Sequence, residues 1–175
     1  MYQIDNLIIY GSNGVCRVEE ISTPDIPGID KNRIYYTLCP LYHDGKIFTP
    51  IDTKIFSRPV ITYSKAQDII NLIPYIEEDE YSNSNFRMMA EHYREYLQTH
   101  NCTDLVKLIK TIYTKNSIAV EEGKKPSQTN DHFMKTAEDL LDGELAVALG
   151  IPKESVKSYI EERVKEHESK LNWLQ

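Results

Sequence analysis

The sequence predicts an α+β chain in which a small antiparallel β module precedes an all-helical one. Three observations predict it. Ile34–Pro50 holds two runs of β-branched and aromatic residues around His43-Asp44-Gly45-Lys46. Asp-Gly there favours a tight primed turn, because both residues tolerate positive φ. The residues before Ile34 form short apolar or alternating runs able to pair with that hairpin. After about Ser64 the apolar residues recur at helical spacing instead.

Asn6–Tyr10 is the first expected strand, and Gly11–Gly14 the turn after it. Val15–Ile21 alternates apolar and polar residues, the pattern of a half-buried strand. Ser22–Asn32, with Pro24 and Pro27, reads as an exposed loop. The hairpin follows, with Lys46–Pro50 as its second arm. Lys54–Thr62 is a weaker fifth strand that Pro59 confines to an edge. Four or five short strands joined by tight turns suggest a small antiparallel β-barrel of the SH3 or Tudor kind. Such a barrel has little room for a deep pocket and binds through an edge or a rim.

Ser64 to Gln67 fits a capping box and opens a short helix, Lys65–Leu72. Pro74, the acidic run Glu77-Glu78-Asp79-Glu80 and the polar Ser82-Asn83-Ser84 read as a solvated boundary. The expected organisation is therefore a β module over 1–63, a short helix and acidic linker over 64–82, and a helical bundle over 83–175. In the bundle, helices are expected at about Ser84–Gln98, from an N-cap at Asn101, at Gln128–Leu149, and from Lys153 to about Glu168. Leu105, Leu108, Ile109, Ile112 and Tyr113 form one apolar face. Phe133, Ala137, Leu140, Leu141, Leu145 and Ala148 form another. Gly150 ends the third of these helices, and Pro152 suits the start of the last.

Composition narrows the function classes. No apolar run approaches the roughly 20 residues that span a bilayer, and Met1–Ser12 lacks the basic region and cleavage site of a secretory signal. Cys16, Cys39 and Cys102 are scattered, with no metal-binding spacing, and read as structural thiols in a reducing cytoplasm. Residues 1–70 carry 8 acidic and 7 basic side chains, residues 71–175 carry 19 and 13, and the whole chain has a net charge of −7. An acidic helical half argues against tight, autonomous DNA binding, which needs cations to neutralise phosphates.

No catalytic constellation emerges. His92 and Glu95 lie three residues apart on one helix, but a di-iron bundle needs a second Glu-x-x-His pair. A solvated helix face is the simpler reading. His43 and Asp44 belong to the hairpin tip, and Asp131 beside His132 suits a helix start. P-loop, GxGxxG and GxSxG patterns are absent. The expectation is a protein that is not an enzyme, with no cofactor, metal or small-molecule substrate. Phe86, followed by Arg87, Met88 and Met89 at a helix start, is the unusual feature. It is either a core residue of the bundle or an exposed wedge that stacks on bases.

Taken together, these stretches resemble the CarD/CdnL family of bacterial transcription regulators. Asn6–Tyr10 with Gly14-Val15 resembles the family's opening strand and turn. Tyr35–Leu38 and Thr49-Pro50 resemble its next strands, and Gly143–Gly150 its GELALALG-type helix end. The resemblance runs from about residue 3 to 165. The same N-terminal module occurs in transcription-repair coupling factors, without the helical partner.

The resemblance implies a cytoplasmic regulator whose barrel pairs an edge strand with the RNA polymerase β subunit, a β-augmentation mode. The matching residues are Ile47, Phe48, Thr49 and Pro50. It further implies that the helical module meets promoter DNA at the upstream edge of the −10 region, where a tryptophan wedges into the minor groove and hinders bubble collapse. Phe86 falls at that position, with Arg87 and Arg94 as further DNA contacts and Lys115 and Lys135 as weaker ones. Trp173, the only tryptophan, lies in the C-terminal tail and is no substitute. The chain departs from the family where Met88 and Met89 replace basic residues, where Asp131, His132 and Glu138 occupy a normally basic helix start, and at Phe48, an arginine in some relatives. Weak binding to free DNA, compensated by tethering to polymerase, is expected. A competing expectation is a polymerase-bound adaptor whose acidic bundle holds another protein without touching DNA.

Overall fold

The computed structural model describes residues 1–172, which form two compact units, Met1–Val60 and the chain from Ile61 onward. The first is a five-stranded antiparallel sheet, the second is helical.

The sheet consists of β1 (Leu7–Tyr10), β2 (Val15–Ser22), β3 (Tyr35–Pro40), β4 (Ile47–Pro50) and β5 (Ser57–Pro59). Its hydrogen-bonded order is β4-β3-β2-β1-β5, so Pro59 does lie on an edge strand, where its missing N–H costs no ladder bond. Ile8, Tyr10, Cys16, Val18, Tyr36 and Leu38 form the core, with Ile47 and Ile51 packed against it. A register shift between Val18 and Glu20 places a bulge at Glu19, whose carboxylate meets the Lys46 ammonium at 2.7 Å. The Tyr10 hydroxyl donates to Thr49 Oγ1 at 2.8 Å in the interior. In a flat sheet β1 and β4, three spacings apart, would be separated by about 14 Å, farther than these two side chains reach. The sheet is therefore strongly curved.

The link from β3 to β4 departs from the expected tight turn. Leu41–Lys46 separates the strands, and only Gly45 among those residues takes positive φ (108°). Pro40 is the reason. Ile51 N donates to Ile34 O and Leu41 N to Val15 O, so even-numbered β3 residues aim their backbone groups at β4. Pro40 falls on that side with no N–H to give, and the ladder ends at Leu38 opposite Ile47.

The helical unit comprises α1 (Tyr63–Leu72), α2 (Phe86–Gln98), α3 (Cys102–Glu121), α4 (Gln128–Leu149) and α5 (Val156–Asn172). Asn101 caps α3 through Thr103 N, and Gly150 ends α4 with φ 68°, both as expected. Other details differ. Thr62, not Ser64, caps α1, because the preceding Ile61 N–H is fixed by the Glu144 carboxylate at 3.0 Å. Gln67 faces the Tyr159 hydroxyl and Arg163 rather than closing a capping box. Tyr113 is exposed, and Thr111 takes the buried place on α3. Leu140 and Ala148 are only half-buried. A 3-10 turn over Lys153–Ser155 precedes α5. The helical core joins Tyr93 of α2, Leu108 and Ile112 of α3, Phe133 and Leu145 of α4, and Val156.

Candidate functional site

The acidic stretch before α2 is not a solvated linker. Asp79 N donates to Thr111 Oγ1 at 2.8 Å, and Thr114 donates to the Glu78 carboxylate at 2.9 Å. The Asp79 carboxylate accepts hydrogen bonds from the Tyr96 hydroxyl (2.6 Å), from Tyr81 N (2.9 Å) and from His92 Nε2. Burial alone would raise its pKa. These donors outweigh burial and hold the carboxyl well below the usual range, while burial and Asp79 together push the Tyr96 hydroxyl up. Residues 77–85 are thus strapped to α2 and α3.

The strap leads directly to Phe86. Asn83 Oδ1 accepts from Asn85 N (2.8 Å), and Asn85 Oδ1 accepts from Arg87 N (2.9 Å) as the α2 cap. Phe86 is consequently held at a defined helix start with its ring 69% exposed, Met88 is partly exposed, and Met89 turns inward. An apolar ring fixed at a helix terminus by a hydrogen-bonded approach segment is suited to stacking or wedging. It borders an open cavity of about 300 Å³ that also includes Tyr93, Lys115, Lys124 and Lys125.

The proposed cations are differently placed. Arg87 is exposed and pairs loosely with Glu91 at 3.4 Å, a contact that a phosphate readily displaces. The exposed Arg94 lies 5.9 Å from the Phe133 ring centroid, a cation–π distance. Lys135 is exposed on α4. Lys115 is not a free surface charge: its ammonium donates to Tyr81 O (2.5 Å) and lies 5.7 Å from the Tyr93 ring centroid. Burial depresses its pKa, with Asp79 partly opposing. His92 is not on a solvated face either, packing on Tyr81 with ring centroids 4.1 Å apart. Its Nδ1 is 3.8 Å from Glu95, and no group of three or more potential ligands converges among the described residues. Trp173 lies outside the described residues.

On the sheet, β4 is an edge strand, as pairing with another chain requires. Its register aims the backbone of Ile47 and Thr49 at β3 and that of Phe48 outward. The Phe48 side chain is partly exposed on the face opposite Ile47 and Thr49. Pro50 offers no N–H, and its carbonyl already accepts from Thr53 N at 3.0 Å. Thr49 is buried on Tyr10, so its side chain serves the fold.

Asp79, Tyr93 and the pair Lys124 and Lys125 escaped sequence reasoning. The spacing of Phe86, Met89 and Tyr93 at i, i+3 and i+7 marks one helix face and could have joined Tyr93 to the site. Asp79 had no such signal, since its partners lie 13 and 17 residues away. Comparison with protein-family models and with curated proteins finds no match for this chain. No described helix is long and apolar enough to cross a membrane.

Proposed function

We propose that this protein is a non-enzymatic, cytoplasmic regulator of transcription initiation. Its β unit, read as a Tudor-like barrel, adds the β4 edge to the RNA polymerase β subunit, with Phe48 presenting the outward backbone groups. Its helical unit meets promoter DNA at the upstream edge of the −10 region. The observation that carries this reading is Phe86, exposed at the start of α2 and held there by the Asn85 cap. A buried Phe86 would have left the helical unit without a wedge. Arg87, Arg94 and Lys135 supply phosphate contacts around it. Lys115 contributes its charge from within the wall of the cavity.

The test is the lifetime of open complexes formed by the cognate polymerase holoenzyme on an unstable promoter, with no added protein, with this protein, and with Phe86→Ala. Stacking on a base is worth about 1–3 kcal/mol, so the substitution should shorten the prolonged lifetime by roughly five- to 150-fold. A specific observation favours a second reading, the adaptor. A groove of about 680 Å³ runs between the strap and α3, with Glu77, Glu78 and Glu80 beside Tyr75, Ile76 and Ile118. An unchanged lifetime with polymerase binding intact would reject the wedge in favour of that groove and a basic protein partner.

A further inference from the structure

A cleft of about 220 Å³ opens on the helical unit where α3, α4 and α5 meet the end of α1. Its walls are aliphatic. Ile73, just past α1, Ile109 of α3 and Ile160 of α5 stand half-buried around it, backed by the buried Val106 and Leu141. The Asp142 carboxylate of α4 shares this apolar lining. It is half-buried, its oxygens are open to solvent rather than sealed inside, and it accepts no hydrogen bond among the described residues. A carboxylate drawn partly out of water with no donor on it is costly, and no contact within the fold offsets that cost.

The neighbouring cations are already committed. Lys110 Nζ donates to Ile76 O at 2.6 Å and to Ile73 O at 3.2 Å. Lys157 Nζ meets the Glu138 carboxylate at 3.1 Å, and Lys153 pairs with Asp139 outside the lining. Lys157 and Lys153 attract the Asp142 charge at longer range without donating to it. Burial outweighs them and pushes the carboxyl up to about 6, which leaves it ionised at pH 7.5. The lining sets three carboxylates, Glu138, Asp142 and Glu161, against two ammonium groups, Lys110 and Lys157. One negative charge is therefore spare, and inside the aliphatic walls it sits on an acceptor that lacks a donor.

We propose that this cleft binds a small amphiphilic ammonium ion, its apolar body between Ile73, Ile109 and Ile160 and its N–H groups on the Asp142 carboxylate. An ionised carboxylate only accepts, so the ligand must bring the donors, and an ammonium makes short charge-assisted bonds there. Aliphatic walls are indifferent to the detail of the body and favour its removal from water. The volume lies below that of ordinary ligand sites, which limits the body to a short chain or a single ring. None of the residues assigned to DNA or polymerase lines this cleft. Ammonium binding is thus a further activity, independent of the promoter reading.

The experiment uses the full chain carrying methyl-labelled isoleucine. The methyl groups of Ile73, Ile109 and Ile160 report on the cleft, and those of Ile8 and Ile47 in the sheet report unspecific contact. At pH 7.5 the protein is titrated with hexylammonium chloride, with hexanol, with hexanoate and with Nα-acetyl-lysine methylamide. Hexylammonium should shift the three cleft methyls saturably and leave the sheet methyls unmoved. Hexanol, the same chain without the charge, should bind about tenfold more weakly or worse, and hexanoate should not bind. Asp142→Asn removes the charge at nearly constant shape from a group that accepts no hydrogen bond in the fold, so the variant folds. Its affinity for hexylammonium should fall about ten- to 150-fold, the range of a hydrogen bond to a charged group, with hexanol binding unchanged. Silent cleft methyls, equal binding of hexanol and hexylammonium, shifts spread over the sheet as well, or undiminished binding by Asp142→Asn overturns the proposal. Tighter binding of the lysine derivative than of hexylammonium overturns it in favour of a partner protein's side chain. Open-complex lifetime takes no part in these readouts, so failure here leaves the promoter reading standing.

Discussion

Replacing Asp79 with Asn probes the strap that positions Phe86. The carboxylate accepts three hydrogen bonds, from Tyr96, Tyr81 N and His92, and an amide of the same shape can accept only through one oxygen. With that oxygen in place of Oδ2 it keeps Tyr96 and His92, and its NH2 group then faces the Tyr81 N–H. Hydrogen bonds to a charged acceptor are worth about 1.5–3 kcal/mol each, but the cost of burying the charge offsets part of their sum. A net loss of about 2–4 kcal/mol at pH 7 is expected. The pH dependence distinguishes this cause from generic disruption. The folded carboxyl is held below the ordinary value of 3.8, so as pH falls the unfolded chain takes up a proton before the folded chain does. The stabilisation is complete above about pH 4 and shrinks below it, and the variant has none to lose. Urea unfolding followed by the helical circular dichroism signal at pH 7 and pH 3 measures both. A variant within about 0.5 kcal/mol of wild type at pH 7, or a gap as large at pH 3, would refute the reasoning.

Substitutions at three further positions test other parts of the chain. Burial pushes the Asp142 carboxyl up to about 6, against the pull of Lys157 and with the repulsion of Glu138, so the folded state keeps a proton that the unfolded chain loses between pH 3.8 and about 6. Wild-type stability therefore falls across that window, and Asp142→Asn should gain about 1–3 kcal/mol at pH 7.5, a gain that vanishes near pH 3.5 in the same urea experiment. Thr49→Val leaves the buried Tyr10 hydroxyl without its acceptor and should cost about 1–3 kcal/mol, whereas Thr49→Ser keeps the bond. In a polymerase pull-down the folded Thr49→Ser protein should bind as wild type does, while Phe48→Ala binds less.

By itself the sequence determined the order of elements, since period-2 runs before Ser64 and 3.6-residue stripes after it are local properties of the chain. It also located the ends that depend on one residue: the Asn101 cap, the Gly150 stop and the edge placement of Pro59. Phe86 stood out for its neighbours alone, but whether its ring was inside or outside was open, because a helix start has both faces. Only the tertiary structure decided that, by turning Met89 and Tyr93 inward and leaving Phe86 in solvent. The same is true of the turn after Pro40, which reads as Asp-Gly locally yet depends on which neighbouring strand the proline faces. It holds for the α1 cap too, where Glu144, 83 residues beyond Ile61, selects Thr62. Asp79 is the clearest case. A run of four acidic residues looks solvated in sequence because charge is costly to bury, and it becomes a strap only where Tyr96 and His92 of α2 join Tyr81 N at the Asp79 carboxylate while Thr111 and Thr114 of α3 bond Asp79 N and Glu78.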